Sequence, residues 1–122
     1  MKSILYDSEG DILTVVFVEN NDQRTRGVEL SDNVVLYYNV KTKQPIQLIL
    51  TSYLAMLEAS TRKPLRLNGL QKMPASIRNS ILRIIRVLPV SHFLGVVETR
   101  PRHAPTSYPM NVLTSTALKA VA

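Results

Sequence analysis

Cysteine is absent from this chain of 122 residues. That single absence removes disulfides, thiolate metal sites and a cysteine nucleophile, and it fits a reducing compartment. Histidine is nearly absent, with only His92 and His103, and neither stands at metal-ligand spacing from other imidazoles or acids. Ser91 beside His92 does not make a nucleophile–base pair, because such pairs are set by geometry across a fold. Gly27, Gly69 and Gly95 are isolated from one another, so no phosphate-cradling loop is present. No apolar run approaches the ~20 residues of a membrane helix. The opening "MKSILYDSEG" lacks an apolar h-region. The expectation is a single-domain cytoplasmic protein with no membrane partner, no cofactor and no catalytic residue.

Acids are also missing, but only from one half. Residues 1–58 carry five Lys/Arg against eight acids, whereas residues 59–122 carry ten Lys/Arg and the single acid Glu98. The net charge of +6 therefore conceals an acidic half and a basic half. Arg62, Lys63, Arg66, Lys72, Arg78, Arg83 and Arg86 form the candidate surface for an anion or nucleic acid. Few aromatic residues accompany them, only Phe93 and Tyr108, and no nucleic-acid-reading motif is present. Solvated basic residues, or attraction between the two halves, are the plainer reading.

What is present is strand pattern followed by helix pattern. Residues 2–7 and 11–19 read as strands around "DSEGD", "GVEL" as a short strand, and "VVLYYNV" and "IQLIL" as two more. Pro45 suits the start of the last of these. "SYLAMLEAS" reads as a helix capped by Ser52, and "ASIRNSILRIIRVL", Ala75 to Leu88, as a clearer one. In that second helix the apolar residues share one arc and Leu82 alone falls outside it. "SHFLGVVET" reads as a final strand. Strands first and helices after imply an α+β fold: an antiparallel β-meander of four to five strands, then two helices and a final strand. Residues 1–100 form the domain, its first fifty the meander and the rest the helical, basic part. Residues 101–122 form a proline-bearing tail.

Two features bear on function. The acids Asp7, Glu9 and Asp11 fail the calcium-loop pattern, since Ile12 and Val18 occupy its glycine and bidentate-glutamate places. A hairpin turn is expected instead, with Gly10 supplying positive φ and Asp7 and Asp11 bonding local backbone N–H groups. The second feature is the strand Ile12–Val18, whose two faces are both largely apolar. A half-exposed antiparallel sheet should alternate apolar with polar, so either the C-terminal half or a partner subunit must cover the second face. Val16, Val18 and Tyr37 are the candidate interface residues.

"YDSEGDILTVVF", "SDNVVLYYN" and "PIQLIL" together resemble the YuzE-like family of small bacterial domains. Tyr6, Asp7, Glu9 and Asp11 match its opening, Asp32, Val34, Val35 and Tyr38 its middle, and Ile46, Gln47 and Leu48 its closing strand. Asn33 stands where the family has a turn glycine, Asn39 where it has an aspartate, and "KTKQP" lacks the usual glycine. The resemblance covers about residues 4–52. It implies a β-meander followed by a helix, often self-associating, with no catalytic residue to carry over. Some relatives look like the partner component of toxin–antitoxin pairs. A non-enzymatic assembly module is thus the leading expectation, and an antitoxin-like or nucleic-acid-binding regulator the alternative.

Overall fold

Strand β2, Ile12–Val16, alternates sharply despite its apolar composition: Leu13 and Val15 are fully buried while Ile12, Thr14 and Val16 are not. In this computed structural model the described residues are 3–19, 24–96 and, for the backbone alone, 109–112. The β-branched and aromatic content that marked the other strands produces β1 (Ser3–Asp7), β3 (Thr25–Ser31), β4 (Val34–Asn39) and β5 (Pro45–Thr51). "GVEL" is thus part of a seven-residue strand. Pro45 does open its strand, where its missing donor costs least.

The five strands form one antiparallel sheet in the order β1-β2-β5-β4-β3. The expected meander exists over β3, β4 and β5. The β1–β2 hairpin does not continue it but docks on the free edge of β5, through pairs such as Leu13 with Leu50 and Val15 with Leu48. The last four strands therefore make a Greek-key arrangement.

Helix α1 spans Tyr53–Arg62 and α2 spans Ala75–Ile85. The second stops three residues earlier than its apolar pattern suggested, and Val87 and Leu88 project from the segment before Pro89. Leu82, the residue out of phase with the arc, is nonetheless buried and belongs to the core cluster. Between the helices lie the short strand β6 (Leu65–Arg66) and a 3-10 turn at Asn68–Lys72. After α2 the expected strand begins late: Val90–His92 is another 3-10 turn, and β7 runs Leu94–Val96. The rest of "SHFLGVVET" lies outside the described residues. The tail is not merely a tail, since Pro109–Val112 forms β8, which lies between β6 and β7 in a small second sheet.

One continuous core joins these parts. Leu13, Leu36, Leu48 and Leu50 from the sheet meet Tyr53 and Met56 of α1 and Ile81 and Ile85 of α2. Phe17 and Phe93 meet with ring centroids 6.3 Å apart, and Tyr6 meets Tyr53 edge-on at 6.1 Å. Burying each large apolar side chain contributes roughly 1.5–3 kcal/mol. Among the described residues two polar ones share the interior, and both are bonded: Ser60 donates to the Leu57 carbonyl, and Asn39 accepts from the amides of Lys41 and Thr42.

Candidate interaction surfaces

The acidic turn resolves first. Asp7 behaves as a turn residue, its carboxylate accepting the Glu9 amide at 3.1 Å. Asp11 departs from the expectation twice. It, and not Gly10, is the left-handed residue of the turn, at φ 55°. Its carboxylate also bonds nothing local in the backbone: it accepts the Leu54 amide at 2.9 Å and the Tyr6 hydroxyl at 2.7 Å. The Asp11 carbonyl accepts the Tyr53 amide at 3.0 Å as well. The start of α1 is thereby capped from the β1–β2 hairpin. Ser52 was expected to do this, but it lies in the left-handed region at φ 51° and its side chain makes no capping bond. The Leu54 amide, together with the Tyr6 hydroxyl, holds the Asp11 carboxyl below its ordinary value. The same hydroxyl bond, with the negative charge behind it, pushes Tyr6 up to about 12. Among the described residues, no group of three or more acids and histidines converges as a metal site would. His92 is exposed, with its ring 6.5 Å from Phe93, and His103 lies outside the described residues.

The basic residues are scattered by the fold. Arg62 and Lys63 end α1, and Arg83 and Arg86 end α2, positions where cations complement the partial negative charge of a helix C-terminus. Arg62 also pairs with Glu58 at 3.2 Å, both side chains largely exposed. Arg78 turns back to donate to the Met73 carbonyl. Lys72 shares the rim of a hollow of about 250 Å³ with Glu29 and Asp32. Arg66 stands alone on β6, exposed. Helix-end electrostatics thus accounts for four of these seven residues without a ligand.

The second face of the large sheet is the feature that remains. Cross-strand register lines up Leu5, Thr14, Ile49, Val35 and Glu29 in one row, and Ser3, Val16, Gln47, Tyr37 and Gly27 in the next. Ile12 lies beyond them, opposite Thr51. Of these, Ile12, Val16, Val35, Tyr37 and Ile49 neither belong to the core cluster nor pack against it. Both helices bury their apolar residues on the opposite face, so α2 does not cover this one.

The three candidate interface residues separate accordingly. Val16 and Tyr37 stand in one row of the outer face. Val18 does not join them. Phe17 and Val18 both donate to the single carbonyl of Ile46, at 2.8 and 3.5 Å, so the alternation slips there and Val18 packs against the core. Tyr38, the neighbour of Tyr37, is the buried one of the pair. A signal that sequence reading missed is the glycine opposite Tyr37. A Cβ on Gly27 would lie 2.7 Å from the Tyr37 ring, so the ring lies across the glycine and fills its place in the sheet surface.

No protein-family model, no curated protein and no solved structure matches the chain.

Proposed function

We propose that the protein is a non-enzymatic binding module that self-associates through the outer face of its five-stranded sheet. The observation that carries this reading is the row structure of that face, in which Ile12, Val16, Val35, Tyr37 and Ile49 lie outside the core cluster. Apolar side chains scattered singly over a surface need no partner, but five gathered in neighbouring rows, with only the uncharged Thr14 and Gln47 among them, favour one. Asp7 and Glu29 stand at the margins of the face and no charge lies between them. The likeness of residues 4–52 to YuzE-like domains points in the same direction. A second copy of the chain is the occupant proposed, because one self-complementary patch suffices for a two-fold dimer.

Light scattering coupled to size exclusion, across a range of concentrations, tests the reading. The expected result is a dimer for the wild type and a monomer for Ile49→Lys, with both melting cooperatively. A strict monomer at every concentration overturns it. So does an Ile49→Lys protein that remains dimeric.

A further inference from the structure

We propose a second docking site on the helical side of the molecule, a cleft that takes an acidic peptide segment bearing apolar side chains next to its carboxylates. The cleft has a volume of about 270 Å³ and lies between the β4–β5 turn and the end of α2. Lys43 and Pro45 form one wall, and Arg83, Ile84, Val87 and Leu88 form the other. None of these belongs to the outer sheet face, so the site is independent of the self-association surface.

Three observations define the occupant. The first is charge: Lys43 and Arg83 both line the cleft, and among the described residues no acid lines it. The second is exposed apolar surface. Val87 and Leu88 are 57% and 65% exposed, two of the four large exposed apolar residues among the described ones, and they are consecutive in the chain. One such residue is ordinary, whereas two at the rim of a cationic cleft form a composite surface. The third is fixed geometry. Lys43 has a φ of 63° and is held by a turn in which the Asn39 carboxamide accepts two amides and the Asn39 carbonyl accepts the Lys43 amide at 2.8 Å. Arg83 is fixed on α2, where Ser80, also lining the cleft, spends its hydroxyl on the Ser76 carbonyl and so competes for no ligand.

The chemistry follows from the two walls. A guanidinium presents a planar fork that a carboxylate fits with two hydrogen bonds. Pro45, Val87 and Leu88 would bury an aliphatic side chain that follows or precedes the carboxylate. A phosphodiester backbone uses the cations but not the apolar wall, and the described lining residues include no aromatic ring to stack on a base. The volume is below that of a typical small-molecule pocket, and the open shape suits a pair of adjacent side chains.

The test is a titration of the isotope-labelled full chain with a synthetic acetylated pentapeptide, Glu-Leu-Glu-Leu-Glu, followed by NMR. Expected are saturable shifts centred on Lys43, Arg83 and Leu88, weakened several-fold when salt rises from about 0.05 to 0.3 M, since this shortens the screening length. A Glu-Ser-Glu-Ser-Glu peptide should bind at least about tenfold more weakly, a factor equal to 1.4 kcal/mol. Arg83→Glu should abolish the shifts, and Leu88→Ser should weaken them several-fold. Both positions are exposed, and an unchanged amide spectrum elsewhere confirms that the variants fold. The proposal is overturned by an absence of saturable shifts at about 1 mM peptide, the concentration matching a free energy of only about −4 kcal/mol. Equal binding of the serine peptide, or tighter binding of a short DNA duplex at the same residues, overturns it too.

Discussion

The carboxylate of Asp11 caps helix α1 by accepting, at 2.9 Å, the amide of Leu54, which lies 43 residues later in the chain. Neither helix has an acid in its first turn, so α1 depends on the hairpin for the negative charge that its N-terminus favours. Asp11→Ala should therefore lower stability by about 1 kcal/mol. The carboxyl is held below its ordinary 3.8, so its contribution is complete above that value and is lost as pH falls through the lower, folded one. Thermal melts of wild type and variant should differ at pH 7 and converge in strong acid. Calcium or magnesium should leave both melts unchanged, and a saturable rise that vanishes with Asp11→Ala would identify a metal site instead.

Tyr6 reads the same contact from the other side. Its hydroxyl ionises near 12 and not near 10.0 because the proton is shared with Asp11. The stability linked to that proton is present below the ordinary value and lost as pH rises through the higher, folded one. Absorbance titration should show a late tyrosine step in the wild type that belongs to Tyr6. The late step should move down in Asp11→Ala.

Gly69 lies where a Cβ would stand 1.9 Å from the carbonyl oxygen of Glu29, on β3. Backbone presses on backbone there, and nothing flexible can move aside. Gly69→Ala should cost about 1–3 kcal/mol as an overpacking change. Urea denaturation measures it, and a loss below about 0.5 kcal/mol, ordinary for surface substitutions, would show that the 3-10 turn shifts freely.

Gly27 and Tyr37 should be energetically coupled. With the ring across the glycine, Gly27→Ala is expected to destabilise the wild type but to be tolerated alongside Tyr37→Ala. A double-mutant cycle should return a coupling of about 0.5 kcal/mol or more, while simple additivity would place the ring elsewhere.

Nucleic acid should be a poor ligand. The basic residues are dispersed over the fold, four of them at helix ends, and one is tied to Glu58. Binding to duplex DNA should appear only at low salt and ignore sequence, as counterion release alone dictates. A specific complex at physiological salt would favour the regulator reading.

Local chemistry made the elements legible and long-range pairing decided the rest. The branched and aromatic runs of Ile12–Val16 and Val34–Asn39, the Pro45 strand start and the apolar arc of α2 can all be read from sequence, because propensity and periodicity act between near neighbours. The apolar second parity of β2 likewise announced a face in search of cover. Which strand lies beside β2 could not be read, since alternation records the face a residue occupies and not the edge its strand joins, and only the closing of the whole sheet selects β5. The cap on α1 was misassigned to Ser52 for the same reason: a cap is recognised locally in sequence, whereas Asp11 reaches Leu54 only once the β1–β2 hairpin has docked on β5. Val18 changed faces because a single carbonyl, that of Ile46, serves two amides, a slip that no alternation pattern records. Tail residues 109–112 became a strand because β6 and β7 each leave an edge that β8 pairs. The cleft beside Arg83 has the same origin, for Lys43 and Leu88 are distant in sequence and meet only where the β4–β5 turn faces the end of α2.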